Sequence, residues 1–182
     1  RIGVRVWKSE TEGVAAGAAA DDWISDFMDR PGRILHMGES IERPVSLEYG
    51  RKGDRVGFAD GYPLLLTSQA SLQALHPRLD EPVPMDRFRP NLVVDGELPF
   101  GEDDWTLIQA GAVRFRVVKP CARCVVTTVD QDSGAGSKEP LRTLASFRRR
   151  ADGKVLFGQN LIHDGLGTVR LDDEVEVLAT RV

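Results

Sequence analysis

The residues with the most chemistry to offer lie in one short run, Lys119-Pro120-Cys121-Ala122-Arg123-Cys124, ahead of the β-branched stretch Val125-Val126-Thr127-Thr128-Val129. Between Trp105 and Val129 there is no acidic residue, whereas Arg114, Arg116, Lys119 and Arg123 add four positive charges. Neighbouring cations favour a thiolate over a thiol. A thiolate is both a nucleophile and a soft metal ligand. Three other readings stay open on spacing alone. Both cysteines fit as small core residues. A CxxC pair also suits dithiol redox chemistry, although that chemistry wants the first cysteine at a helix N-terminus and this pair precedes a strand-like run. The pair is also half of a zinc site, but the chain has only these two cysteines, and His36, His76 and His163 stand apart without ligand spacing.

A second cluster is Arg87-Phe88-Arg89-Pro90-Asn91. Pro90 is expected to hold Arg89 extended. A guanidinium offers a planar fork matched to phosphate or carboxylate, and Asn91 adds an amide donor. Such a set is an anion clamp or an ordinary solvated loop. Thr67-Ser68 precede a predicted helix, where hydroxyls and free backbone N–H groups either hold a phosphate or serve as a plain N-cap. The turn at 133–136 lacks the spacing of a nucleotide-binding glycine loop. Glu102-Asp103-Asp104 reads as a solvated acidic turn. Neither Lys138 nor Lys154 has the context of a Schiff-base lysine, and no Ser-His-Asp set emerges from three scattered histidines.

These groups must be positioned by a chain of 182 residues, about one ordinary domain's worth. It carries 24 Lys+Arg against 28 Asp+Glu, a formal net charge of −4, with 41% hydrophobic residues. That balance excludes a disordered chain and argues against a generic DNA-binding module, whose affinity rests on net basic surface. No apolar run is long enough to span a bilayer. Two cysteines exclude a disulfide-dense scaffold, and two unbridged thiols make a reducing compartment the default. The chain opens on Ile2-Gly3-Val4-Arg5-Val6, which alternates like a strand and reads as part of a longer protein.

Residues 1–8 read as a strand and Gly13 to Gly17 as a small-residue connection. A helix is expected to start at Asp21-Asp22 and stop at Pro31-Gly32, with Trp23, Ile24, Phe27 and Met28 sharing a face. Arg33 to Met37 is a short strand, and 38–60 reads as loop with short strand pieces. Leu64 to Leu66 is a buried strand, followed by a helix to about Leu75 with Leu72 and Leu75 inward. The proline-rich stretch 80–91 is loop and 92–94 a strand. Trp105 to Val118 is a hairpin turning at Gly111, and Val125 to Val129 another strand. Glu139-Pro140 opens a helix whose inner face is Leu141, Leu144, Ala145 and Phe147. Short strands follow at 155–157, 160–163, 168–171 and 175–178. The expected class is α+β, built on a β-barrel or sandwich with a few helices.

The run at 119–130 resembles the signature of MOSC domains, the molybdenum cofactor sulfurase C-terminal type. Matches in the same order along the chain are Phe58-Ala59-Asp60-Gly61-Tyr62-Pro63, Ser71-Leu72, Phe88-Arg89-Pro90-Asn91, Glu102-Asp103-Asp104-Trp105, Lys138-Glu139-Pro140-Leu141 and Phe157-Gly158-Gln159-Asn160. Within that family the chain is most similar to the branch of the mitochondrial amidoxime-reducing component and its bacterial counterparts. The resemblance implies a β-barrel-based MOSC domain at 55–182, preceded at 1–54 by the latter part of the β-rich domain that this branch carries N-terminally. It implies a molybdenum-pyranopterin cofactor with Cys124 as the metal ligand and catalytic centre. Arg89, Asn91 and Arg123 would contact the cofactor, with Thr67 and Ser68 near the family's hydroxyl contacts. Ala122 stands where a serine is common.

The implied activity is two-electron reduction of small N-hydroxylated compounds, with electrons from a ferredoxin-type or flavin reductase partner. No DNA or membrane partner is expected, and the expected location is cytoplasmic. A persulfide carrier that delivers sulfur to metal–sulfur clusters from Cys124 is the alternative. Pyridoxal phosphate is associated with the family through its sulfurase members and has no lysine nominated for it here.

Overall fold

The computed structural model describes residues 1–181, which divide into two compact units, Arg1–Tyr62 and Pro63 onward. In the first unit, β1 (Ile2–Val6) and β2 (Ser9–Ala15) form an antiparallel hairpin, and β3 (Leu35–His36) adds to β2. The stretch expected as a connection is therefore partly strand. Gly13 sits in β2 because a Cβ there would meet the Leu35 side chain at 3.0 Å. Helix α1 (Ala18–Met28) begins before Asp21-Asp22. Asp21 does not cap it; its Oδ1 accepts from the Ile34 N–H at 3.1 Å. Trp23 and Phe27 share a face and stack at 5.8 Å, but both are exposed. The 38–60 loop has no hydrophobic period because a charge organises it. Arg43, only 5% exposed, donates to the carbonyls of Gly57, Ala59 and Asp60 and to Ser9 Oγ.

The second unit is a curled six-stranded half-barrel sheet with a few helices, the α+β class expected. Its strands are β4 (Leu64–Ser68), β5 (Leu92–Val94), β6 (Trp105–Ala110), β7 (Val113–Arg123), β8 (Val155–Asp164) and β9 (Val175–Thr180), in the order β5-β4-β8-β7-β6-β9. Only β4 and β5 run parallel, joined through α2 (Gln69–Leu75). Leu66, Ile108, Phe115, Val117 and Leu161 belong to one apolar cluster. A second cluster gathers Leu72 and Leu75 of α2, Leu144 of α3 (Leu141–Phe147), Phe88 and Phe157. The Phe88 and Phe157 rings stack at 4.0 Å.

The sheet departs from expectation at three places. The predicted strands 155–157 and 160–163 are one strand, because Gly158 at φ 78 carries β8 past the backbone of β4. A Cβ at Gly158 would stand 2.5 Å from the Leu66 carbonyl oxygen. Residues 168–171 are not strand. Val125–Thr128 form a 3-10 turn rather than a strand. Thr127 Oγ1 donates to the Cys124 carbonyl at 3.0 Å and Thr128 Oγ1 to that of Val125 at 2.7 Å. These hydroxyls bond back to the main chain and compete with pairing to a neighbour. Among the described residues no helix is long and apolar enough to cross a membrane.

Candidate functional site

Strand β7 runs through Pro120 and delivers its last residues to the end of the sheet. Cys124 follows immediately, exposed, on extended backbone (φ −124, ψ −176), at the head of the 3-10 turn. Cys121 is half-buried, and neither cysteine is bridged. Arg123 lies between them and donates from Nη1 to Cys121 Sγ at 2.9 Å and from Nη2 to the Phe88 carbonyl. Its guanidinium carbon lies 5.3 Å from the centre of the Phe88 ring. Its Nε is buried without a partner.

Phe88 ends the 3-10 turn Met85–Phe88, and Arg89 follows in the left-handed region at φ 51, ψ 49. This corrects the expectation of an extended Arg89. The backbone N–H of Arg89 closes the turn by donating to the Asp86 carbonyl at 2.9 Å, and that bond outweighs the restriction from Pro90. Arg89 is exposed. Asn91 is bonded to Leu65 twice, its Oδ1 accepting from the Leu65 N–H at 2.8 Å and its own N–H donating to the Leu65 carbonyl at 2.9 Å. The Asn91 side chain thus closes the sheet where β4 begins, and its amide nitrogen remains a donor.

Thr67 and Ser68 end β4. Thr67 is buried, and its hydroxyl donates to Met85 Sδ at 3.2 Å. Ser68 is buried at the head of α2, yet its Oγ makes no cap hydrogen bond and has no partner. The six residues expected at the site lie in three segments, 67–68, 89–91 and 123–124, which meet at the loop 85–91. Thr67 touches that loop at Met85, Arg123 touches it at Phe88, and Asn91 ties it to β4. Among these residues Arg89, Asn91 and Cys124 are exposed, while Arg123 spends its guanidinium on Phe88 and Cys121 and Thr67 its hydroxyl on Met85.

Sequence reasoning did not assign the role of Arg87, whose Nη2 meets Asp130 Oδ2 at 3.0 Å and so ties the 85–88 turn to the segment after Cys124. Two further Arg87 nitrogens, Nε and Nη1, are buried without partners. Hydrogen bonds from the Ser133 hydroxyl and N–H hold the Asp130 carboxyl below the usual range, and Arg87 adds to this. The acidic turn, expected to be solvated, is largely turned inward. Glu102 is 1% exposed, with Ser71 Oγ 2.8 Å from both carboxylate oxygens. Burial pushes its pKa up, against the pull of the Ser71 bond. Asp103 accepts from Arg148 and Gln159, and only Asp104 is exposed. The lone acid in a Ser…Glu pattern across 31 residues gives no local signal.

Among the described residues no group of three His, Cys, Asp or Glu side chains is placed to hold a metal. Lys138 and Lys154 are exposed, the latter paired with Asp152.

The MOSC domain family model matches residues 53–176. The chain belongs to the MOSC domain family. It is 38% identical over 186 aligned positions to "Mitochondrial amidoxime-reducing component 1" of Homo sapiens, covering 96% of this chain and 55% of that protein. The corresponding protein of Xenopus laevis is 34% identical, with 94% and 54% covered. "Molybdenum cofactor sulfurase" of Oryza sativa subsp. japonica is 35% identical over 87% of this chain and 21% of its own length. The chain thus spans about half the length of the amidoxime-reducing components it matches.

Proposed function

We propose that this chain is the MOSC part of a molybdenum-cofactor oxidoreductase that reduces small N-hydroxylated compounds. One observation carries the reading: an exposed, unbridged Cys124 stands at the end of β7, tied through Arg123 to the loop that presents Arg89 and Asn91. The donor set fits the group. One soft thiolate without a chelating cluster suits a metal that brings a dithiolene among its own ligands. The Arg89 guanidinium and Asn91 amide suit a phosphate and a polar ring, and Ser68 Oγ is a buried hydroxyl still lacking a partner.

When bound, the molybdenum-pterin supplies two-electron redox chemistry, which with two protons converts an N–OH group to N–H and water. The chain's own contribution is to hold and orient. Cys124 Sγ would be the protein's ligand to the metal. Arg123 holds the strand end against the 85–91 loop and keeps Cys121 Sγ occupied. Asn91 fixes that loop to β4, which sets where Arg89 projects. Arg87 and Asp130 clamp the segment behind the thiol. In this reading electrons come from a donor of the ferredoxin or flavin-reductase kind. Two unbridged thiols suit a reducing, cytoplasm-like compartment.

The test is molybdenum content of protein made in a host that synthesises the cofactor. Near-stoichiometric metal that is lost in Cys124→Ala and kept in Cys121→Ala supports the reading; metal retained by Cys124→Ala overturns it. The similarity to a molybdenum cofactor sulfurase favours a second reading, in which Cys124 carries a persulfide. A reductant-reversible mass gain of one sulfur atom on Cys124 in metal-free protein is its expected sign.

A further inference from the structure

A cavity of about 540 Å³ opens beside the end of β7. Its apolar lining comes from Ala122, Val125, Leu141, Ala145 and Val155. Five cations, Arg123, Lys138, Arg142, Arg149 and Lys154, line it as well. Among the described residues no carboxylate lines it. Two cations are answered from outside: Glu139 pairs with Arg142 at 2.6 Å and Asp152 with Lys154 at 3.0 Å. The Asp152–Lys154 pair is open to solvent on both sides and so is weak and screened. Among the described residues Arg123, Lys138 and Arg149 pair with no carboxylate, although Arg123 and Arg149 donate to the carbonyls of Phe88 and Gly153. Of the residues assigned to the cofactor, only Arg123 reaches this cavity; Arg89, Asn91, Thr67, Ser68 and Cys124 do not line it.

An apolar lining set among cations is selective in two ways. Burying a hydrocarbon or aromatic group against the apolar residues removes apolar surface from water. The cations then favour a negative charge on the same ligand. A volume of this size is in the range of small-ligand pockets. No aromatic side chain lines it to stack a base. We propose that this cavity is a binding site for a small amphipathic anion, an aromatic or short alkyl body carrying a carboxylate or phosphate. Since Arg123 and Val125 flank Cys124 in the chain, such a ligand lies against the segment that bears the thiol.

The experiment titrates phenyl phosphate into the metal-free full chain at low salt, following backbone amide shifts. The expected result is saturable shifts at Ala122, Leu141, Ala145 and Val155. Inorganic phosphate, which has the charge without the body, and benzyl alcohol, which has the body without the charge, each bind at least tenfold more weakly. The double variant Lys138→Gln/Arg149→Gln, altered only at exposed side chains, keeps its melting temperature and binds phenyl phosphate at least tenfold more weakly. Absence of saturable binding, binding unchanged in the double variant, or inorganic phosphate binding as tightly as phenyl phosphate overturns the proposal. Cofactor-loaded protein is then titrated in the same way. Unchanged affinity supports a separate site, and loss of binding assigns the cavity to the cofactor's own phosphate and overturns it. None of these readouts depends on Cys124 holding molybdenum, so the two readings fail separately.

Discussion

Arg123 donates to the main-chain carbonyl of Phe88 while its guanidinium lies over the Phe88 ring, so the last residue of β7 is fastened to the loop that presents Arg89 and Asn91. A lysine at 123 keeps the charge but has one point donor in place of a fork, so it cannot hold both Phe88 O and Cys121 Sγ. Arg123→Lys is expected to cost about 1–2 kcal/mol of unfolding free energy, read as a lower urea midpoint with an unchanged slope. A midpoint equal to wild type would show that the tether contributes nothing.

The two cysteines differ in exposure and in partners. Cys124 is open to solvent, whereas Cys121 is half-buried with its sulfur against Arg123. Iodoacetamide is expected to alkylate Cys124 at least tenfold faster than Cys121, read by peptide mass spectrometry over time. Arg123→Lys should narrow that gap by loosening Cys121. Equal rates in the wild type would contradict the placement of the two thiols.

Gly158 occupies positive φ where β8 passes β4, and any Cβ there collides with a backbone oxygen that cannot move aside. Gly158→Ala combines left-handed strain with that clash. It is expected to cost about 3 kcal/mol or more, seen as a large fall in melting temperature. Gly134→Ala, also at positive φ but in open space, should cost only about 1 kcal/mol.

Glu102 gives stability a pH dependence of a definite sign. Its folded pKa lies above the ordinary value of 4.5, chiefly through burial. The native state therefore binds the proton more tightly than the unfolded chain, and stability is lost as pH rises through the window above 4.5. Glu102→Gln removes the ionisation and keeps a group able to bond Ser71. Unfolding free energies at pH 5 and pH 8 should show the variant gaining on wild type as pH rises. A constant difference between the two proteins across that range would refute the assignment.

Where a local pattern carried the information, the reading of the sequence was close. The hairpin at Gly111, α2 with Leu72 and Leu75 inward, and α3 with Leu144 at its centre all follow from period and turn chemistry. The run at Val125 shows the opposite case. Its β-branched composition suits a strand, but two threonine hydroxyls found carbonyls three residues back and made a turn. Glu102 looked like one of three solvated acids because nothing near it in sequence announces Ser71. Arg89 looked extended because the effect of Pro90 is local, whereas the bond to Asp86 depends on the whole 85–88 turn.

By itself the amino-acid sequence determined the α+β class, the family and the chemistry of the candidate groups, since residue type, spacing and ordered motifs are local properties of the chain. Tertiary structure decided which of those groups face outward. It buried Thr67 on Met85, left Ser68 Oγ without a partner, joined Arg123 to Phe88 across 35 residues and set five cations around an apolar hollow. Each of those outcomes depends on which strands pair and which side chains fill the space between them, and contacts between distant residues leave no periodic mark on the chain that makes them.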